Sequence, residues 1–288
     1  MKGVILAGGS GTRLRPASLV VGKQLLPVFD KPMIYYPLST LIHAGCNEIL
    51  LISTPNEIDK FKELLKDGKQ FGLSIQYQVQ SSPLGIAQGL KLAEGFIAGE
   101  DFWFILGDNL FHGPDFGLKL KTIERHEGAM LFAYHVNNPG SYGVAVFNKE
   151  LNQVVDLVEK PSKIISNWAI PGLYKLDASC FDKFSTLKPS ARGEFEILDV
   201  LKIYLNEGKI NIHRISRGNT WFDLGTPSSL LNAAEFVNII QSRQGLLVGS
   251  PEEAAFNSNL ITKDSLTQYL LELGNPEYRR QILDSLNR

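Results

Sequence analysis

Apolar residues follow two rhythms along this chain. Through the first hundred residues, short runs rich in β-branched and aromatic side chains (Val4–Ala7, Glu48–Ser53, Ser74–Gln78 and Phe102–Leu106) alternate with stretches whose apolar positions recur every three or four residues, near Met33–Ala44, Glu57–Lys66 and Ile86–Phe96. The first pattern predicts strands and the second helices, and their alternation predicts parallel strands joined by crossover helices. From Ala129 strand-like segments dominate: Ala129–Tyr134, Tyr142–Phe147, Val154–Lys160 and Trp168–Leu176, then a helix at Glu196–Asn206 and short strands around Ile210–Ile215 and Thr220–Asp223. After Pro227 the reading is helical, through Ser228–Ser242, Pro251–Phe256, Lys263–Leu273 and Glu277–Leu286. The expected fold is α/β: a mixed, mostly parallel sheet flanked by helices over residues 1–226, with 227–288 a C-terminal helical appendage packed on it. No internal repeat, low-complexity tract or long linker interrupts the pattern.

In such sheets ligands bind beyond the carboxyl ends of the strands. The first run opens there into Gly8-Gly9-Ser10-Gly11-Thr12-Arg13, with Lys23-Gln24 following. Glycine admits positive φ and close backbone approach, which turns N–H groups toward anionic oxygens, and Arg13 and Lys23 add fixed positive charge. The string is not a Walker loop, because none of Gly22-Lys23, Gly68-Lys69 and Gly208-Lys209 has the required serine or threonine and the preceding glycine. It is not the dinucleotide fingerprint either, since Leu14 stands where the third glycine belongs. A phosphate-handling loop fits; on these residues alone, so does a tight turn without a ligand.

Charge narrows the partners. With 29 basic and 30 acidic residues in 288, the net charge of −1 provides no global field for nucleic acid, so any nucleotide must be held locally. Cys46 and Cys180 fall in stretches that read as apolar helix and fit buried thiols in a reducing compartment better than a disulfide. The five histidines are scattered and predict no zinc site. Nothing after Met1-Lys2-Gly3 reads as a signal peptide and no apolar run reaches membrane-spanning length, so a cytoplasmic protein is expected.

Several further strings carry chemistry. Asp108 follows Phe102–Leu106, and Asp223 follows Trp221-Phe222; each carboxylate leaves a strand end, as an Asx turn or as a ligand of nucleotide-bound magnesium, which takes only one or two protein carboxylates. Glu159-Lys160-Pro161 ends another strand, leaving Lys160 either an ordinary surface lysine or a receiver for an acidic substrate group. Tyr142-Gly143 and Gly172-Leu173-Tyr174 pair an aromatic with a glycine, fitting either core packing or the approach of a ring-shaped polar ligand. Gln80-Ser81-Ser82-Pro83-Leu84-Gly85 opens a helix, as a cap or as a reader of a base edge.

Together these strings resemble the glucose-1-phosphate thymidylyltransferases, within the sugar-1-phosphate nucleotidyltransferases. The match covers nearly the full chain: Gly8 through Pro16, Lys23-Gln24-Leu25-Leu26-Pro27, Lys31 through Leu38, Gly107-Asp108-Asn109, Glu159-Lys160-Pro161, Arg192-Gly193-Glu194 and Arg243-Gln244-Gly245-Leu246, in this order. The resemblance implies a Rossmann-like core whose first half binds nucleotide and second half sugar. It also implies magnesium-dependent attack of α-D-glucose 1-phosphate on dTTP, in line and without a covalent intermediate, giving dTDP-glucose and pyrophosphate for dTDP-rhamnose or other deoxysugar synthesis. By the same resemblance Arg13 holds the leaving phosphates, Lys23 the α-phosphate and Lys160 the sugar phosphate, while Asp108 and Asp223 hold the metal. Gly8, Gly9, Ser10, Gly11, Thr12, Gln24, Gln80 and Gly85 would line the nucleotide pocket; Tyr142, Gly143, Glu159, Gly172 and Tyr174 would contact the sugar. Family members are typically homotetramers with a feedback site at a subunit interface, which makes dTDP-rhamnose the expected inhibitor.

Four positions depart from the family pattern, each losing a polar side chain: Gly22 for serine, Leu84 for a polar residue, Pro171 for threonine and Leu224 for threonine. Gly22 is expected to loosen the lysine-bearing loop, and Leu224 to remove a hydroxyl supporting Asp223. Other readings are an enzyme of the same group using UTP or an amino-sugar phosphate, and a nucleotide-binding paralogue without turnover. A metal-dependent glycosyltransferase fits less well, because Asp108 is followed by Asn109 and Leu110 rather than by an Asp-x-Asp signature.

Overall fold

The computed structural model describes residues 1–9, 11–114, 116–123, 127–150 and 153–286. Its strands are β1 (Lys2–Ala7), β2 (Pro27–Val28), β3 (Lys31–Pro32), β4 (Glu48–Ser53), β5 (Ser74–Val79), β6 (Phe102–Leu106) and β7 (Asn109–His112). They continue with β8 (Ala129–His135), β9 (Gly143–Phe147), β10 (Val154–Glu159), β11 (Trp168–Ala169), β12 (Leu173–Leu176), β13 (Ile210–Arg214) and β14 (Thr220–Asp223). The helices are α1 (Tyr35–His43), α2 (Ile58–Leu65), α3 (Ile86–Lys91), α4 (Glu94–Ile97), α5 (Phe116–Thr122) and α6 (Cys180–Lys183). After them come α7 (Ile197–Asn206), α8 (Pro227–Gln244), α9 (Pro251–Asn257), α10 (Lys263–Glu272) and α11 (Pro276–Ser285).

Ten strands form one mixed sheet in the order β10-β9-β11-β8-β12-β6-β1-β4-β5, with β13 also pairing with β8. The first-half strands are parallel, as the alternation with helices requires; β12 turns the sheet antiparallel by pairing with both β6 and β8. Register sets the functional edge. Ala7 lies opposite Ser53 and Leu6 opposite Leu106, so the segments after β1, β4 and β6 leave the sheet at the same level. A separate pair, β7 with β14, places Asp223 opposite Asn109 and thereby beside Asp108.

The two sheet faces are buried separately. One is covered by α1, α2, α5 and α9 through Leu38, Phe61, Leu120 and Ala254, the other by α3, α4, α6 and α7 through Leu90, Ile97, Phe181 and Leu201. Helix α8 is fixed at its start by a reciprocal Thr226–Ser229 cap and by Pro227, and stopped by Gly245 at φ 64°. It docks through Ala233 and Val237 onto Val28, Met33, Tyr36, Leu110, Leu224 and Val248. Beside this contact the buried Lys31 ammonium bonds Asp30 and donates to Gln241 Oε1 at 3.1 Å, tying the β2–β3 hairpin to the end of α8. Helices α10 and α11 close over their own small cluster of Leu247, Leu266, Leu270, Tyr278 and Ile282.

Some expected elements are divided. The helix expected over Ile86–Phe96 becomes α3 and α4, because the bonds at Leu92 and Ala93 tighten to carbonyls three residues back. The strand expected over Trp168–Leu176 breaks at Pro171, which lacks an N–H: Ile170 donates to Gly143, while Gly172 donates to the Asn109 side chain, so β11 and β12 lie on opposite sides of β8, one also against β9 and the other against β6. Cys46 is not helical but sits in the turn after α1, whereas Cys180 opens α6; both thiols are free and buried. The β2–β3 hairpin, β7 and α5 had no expectation attached. Among the described residues no helix is long and apolar enough to cross a membrane.

The packing makes Leu224 a keystone between the core and α8. Leu224→Ala is expected to lower stability by about 3 kcal/mol, read as a fall in the urea midpoint. Leu231→Ala, on the exposed side of the same helix, should change it by less than about 0.5 kcal/mol.

Candidate active site

A cavity of about 530 Å³ opens at the carboxyl edge of β1, β5 and β6. Gly8, Gly9, Gly11, Thr12, Arg13, Lys23, Gln24, Gln80, Gly85, Asp108, Tyr142, Gly143, Glu159, Lys160, Gly172, Tyr174 and Asp223 all line it. Ser10 lies outside the described residues.

The glycine turn after β1 is shaped by two buried amides. Gln24 Nε2 donates to the Gly8 carbonyl at 3.1 Å, and a Cβ on Gly8 would lie 2.6 Å from Gln80 Oε1. Gln80 is itself held by Gln88 Oε1 at 2.7 Å. Gly9 at φ 102° and Gly11 at φ 55° occupy the left-handed region, so here the glycines serve the turn itself. Gly85 needs both freedoms: its φ is 108°, and a Cβ would meet the Phe195 backbone at 2.5 Å.

Charge concentrates at the next turn. Lys23 forms an ion pair with Asp108, and Asn109 Nδ2 donates to the other Asp108 oxygen at 3.0 Å. Burial pushes the Asp108 carboxyl up, but the Lys23 charge and these hydrogen bonds outweigh it and hold it below the usual range. Asp223 behaves oppositely. Burial first and the neighbouring Asp108 charge second push it up to about 6, against the opposing pull of Lys23, Arg13 and the Gly225 N–H. The Arg13 guanidinium crosses Gly225 beside this carboxylate, since a Cβ there would lie 2.7 Å from Arg13 Nη2 and 3.0 Å from Asp223 Oδ1. Gly225 N–H also donates to Asp223 Oδ1 at 3.1 Å, so the Asx turn and the pocket position coexist.

These two carboxylates fit a hard divalent cation that draws its remaining ligands from phosphate and water: they are oxygen donors lining one cavity, and the Asp108 charge keeps Asp223 under like-charge pressure despite Lys23. Among the described residues no group of three or more His, Cys, Asp or Glu side chains is assembled as a metal cage.

At the opposite end, β10 stops at Glu159, and Lys160 takes φ 40° while its N–H donates to the Tyr142 carbonyl at 3.1 Å. A non-glycine residue in that region is uncommon and directs its side chain away from the strand's own alternation. Lys160 Nζ lies 3.2 Å from Glu159 Oε1. A Cβ on Gly143 would meet Leu198 at 2.9 Å and Glu159 Oε2 at 3.2 Å, and one on Gly172 would meet Leu106 at 2.6 Å; both glycines keep the floor open. Tyr174 is buried below, stacked on Phe104.

Asn109, Trp221 and Arg192 are among the cavity residues that had no role in the sequence reading. Asn109 Oδ1 accepts from Gly172 N–H at 3.0 Å and from Trp221 Nε1 at 2.6 Å, while its amide holds Asp108, so one buried side chain joins three strands. Trp221 packs its ring edge-on to Tyr142 at 5.0 Å. Arg192 donates to Glu159 Oε1 at 3.0 Å and Glu196 Oε1 at 2.8 Å. Its signal was the Arg192-Gly193-Glu194 string; Asn109 had only its place after Asp108, because hub geometry depends on partners far along the chain. Two expectations about the departures are corrected. Leu224 points into the α8 contact and supports Asp108 only through its backbone, whose N–H donates to the Asp108 carbonyl at 2.9 Å. Gly22 does not loosen its loop, because its N–H is bound by Glu57 Oε2 at 2.8 Å.

The family model described as nucleotidyl transferase matches residues 2–239. The chain is 47% identical over 287 residues to a glucose-1-phosphate thymidylyltransferase of Mycolicibacterium smegmatis, covering 99% of each chain. It is 45% identical over 288 residues to that of Mycobacterium tuberculosis, covering all of both. A crystal structure of a putative glucose-1-phosphate thymidylyltransferase from Bacillus anthracis, in complex with a sucrose, superposes with a TM-score of 0.75 at 36% identity, over 82% of this chain and 94% of that one. A UDP-glucose pyrophosphorylase complexed with UDP-glucose shares the fold at 24% identity, with a TM-score of 0.72 over 84% of this chain and 99% of that one. The chain therefore belongs to the nucleotidyl transferase family, among relatives that are glucose-1-phosphate thymidylyltransferases.

Proposed function

We propose that this cavity transfers a thymidylyl group from dTTP to α-D-glucose 1-phosphate, releasing pyrophosphate and giving dTDP-glucose. The reading rests on one observation: Arg13, Lys23 and Lys160 converge with Asp108 and Asp223 on a single cavity. The nucleophile is an anion attacking a triphosphate. Two unit charges 4 Å apart at an effective dielectric near 20 repel by about 4 kcal/mol, roughly three decades in rate. Cations must therefore come first. Arg13 holds the phosphates that leave, Lys23 the α-phosphate and Lys160 the sugar phosphate. No general base is needed, since the attacking oxygen is already ionised.

Asp108 and Asp223 would hold magnesium, which when bound neutralises phosphate charge and orients the α-phosphate for in-line attack. Gly8, Gly9, Gly11, Thr12, Gln24, Gln80 and Gly85 receive the nucleotide in this reading, and Ser10 is assigned with them by the family resemblance. Tyr142, Gly143, Glu159, Gly172 and Tyr174 receive the sugar. The product would enter dTDP-rhamnose or other deoxysugar synthesis in the cytoplasm. The working form would be a homotetramer inhibited by dTDP-rhamnose at a subunit interface.

Pyrophosphate release with glucose 1-phosphate and magnesium is expected to be faster with dTTP than with UTP and to fall by two decades or more in Lys23→Ala and Asp223→Asn, on the order expected for loss of one charge-stabilising group. Release with UTP but not dTTP would move the activity to a uridylyltransferase, and none from folded protein that binds dTTP would make the chain a non-catalytic relative.

The Asp223 carboxyl generates a stability prediction of the opposite sign. Its native pKa lies above its unfolded value near 4, so folding gains from its proton at low pH and loses that gain as pH rises through about 6. Asp223→Asn removes the cost. Without metal or nucleotide, the variant is expected to melt above the wild type at pH 7.5, by up to roughly 3 kcal/mol of stability, with the difference vanishing toward pH 4. Calorimetry across that range checks it.

A further inference from the structure

Lys23 lies in the first turn of a short 3-10 helix, Lys23–Leu25, whose N-terminal flank is Gly22. The Gly22 backbone has φ −56° and ψ 144°, an ordinary conformation for any residue. Glycine is not there for conformational freedom; it is there for room. A Cβ at that position would lie 2.8 Å from Glu57 Oε2 and 3.0 Å from its Cδ and Cγ. The same carboxylate accepts the Gly22 N–H at 2.8 Å. Glu57 belongs to a different part of the chain, the turn between β4 and α2, where register brings the end of β4 level with the end of β1.

A second bond reinforces the first. Lys60, one turn into α2, reaches back to Glu57 at 3.3 Å and donates to the Val20 carbonyl at 3.0 Å. The loop entering Lys23 is thus pinned at Val20 and at Gly22, and at its other end Ser18 Oγ donates to the Gly11 carbonyl at 2.7 Å. Leu25 N–H bonds the Gly22 carbonyl at 2.9 Å, which carries the Gly22 position directly into the turn that bears Lys23. The Glu57 side chain is one-fifth exposed, so its bond to a backbone N–H is charge-assisted and partly shielded from water.

We propose that Glu57 is a positioning residue for Lys23, acting through the Gly22 N–H, and that glycine at 22 and glutamate at 57 form a matched pair. This rests on the assignment of Lys23 to the α-phosphate. Contacts that tighten in the transition state are sensitive to small displacements, and a misplacement of about 1 Å can cost on the order of a hundredfold in rate. Removing the tether therefore lowers kcat while leaving the nucleotide KM nearly unchanged.

A double-mutant cycle decides it. Glu57→Ala is expected to lower kcat by about tenfold with the dTTP KM within about threefold, and Glu57→Gln, which keeps an acceptor oxygen, to retain most of kcat. Gly22→Ser alone should cost a similar factor, because its Cβ displaces Glu57. Added to Glu57→Ala, it should cost nothing further. Hydrogen exchange measured by mass spectrometry on peptides spanning residues 17–25 reads the tether without turnover: protection should fall in Glu57→Ala and not in Glu57→Gln. Multiplicative losses in the cycle, or unchanged kcat and unchanged exchange in Glu57→Ala, would overturn the proposal. A wild type that turns over no nucleotide sinks the functional assignment and the kinetic half with it, while the exchange experiment still decides whether Glu57 holds the Lys23 loop.

Discussion

The site depends on holding two carboxylates from different elements in one poorly hydrated corner, with Lys23 paired to one of them. Asp108 takes the Lys23 ion pair and the Asn109 amide, and so stays ionised despite burial. Asp223 then meets that negative charge with Arg13 alongside but, among the described residues, without an equivalent ion pair, and its carboxyl rises. Such an arrangement is unfavourable by itself. Further positive charge relieves it, and in the proposed reading the pocket would therefore favour a cation-bearing polyphosphate over an anion alone. Strain of this electrostatic kind at a site is offset by packing elsewhere, and the apolar contact between α8 and the core begins one residue after Asp223.

The fold delivers the two aspartates by different routes. Asp108 comes from the turn after a central parallel strand, whose position is fixed by the crossover topology. Asp223 comes from the short β14, whose pairing with β7 sets it opposite Asn109. Asn109 uses its whole amide for this junction, accepting from the backbone of Gly172 and the indole of Trp221 and donating to Asp108. A buried polar side chain with partners at both ends of its amide adds specificity of register more than it adds stability. It also ties Asp108 to Gly172 and Trp221, which line the same cavity.

Much of this was readable from one chain, for identifiable reasons. The parallel strands announced themselves because buried strands read as continuous apolar runs, and the strings at their carboxyl ends pointed to the cavity because ligands bind there. Asp223 was readable as a candidate and its meeting with Asp108 was not, since two strands of four residues carry no signal of their pairing. Trp168–Leu176 misled because Pro171 breaks a run that is otherwise strongly strand-like. Cys46 misled because an apolar helix and the buried turn that ends it have the same composition. Arg192, Asn109 and Trp221 act through partners distant in sequence, so their roles are properties of the assembled edge rather than of a local pattern.

The departures from the family pattern acquire a common physical character in three dimensions. On sequence alone, Gly22 and Leu224 each read as the loss of a hydroxyl near the chemistry, hence as a weakened site. In the fold the Leu224 side chain turns away from Asp223 and fills the contact that anchors α8, where a hydroxyl would need its own buried partner. Gly22 gives up a side chain to admit a carboxylate from the next strand's turn, exchanging a flexible group for a bond to the backbone itself. Both changes alter how the charged residues are supported and leave the charges in place. A drifting, inactive relative would be expected to lose charges first, because an unused pair of buried carboxylates only destabilises the protein that keeps it. Retention of the costly groups beside substituted supports is the pattern of a site still under the demands of its chemistry.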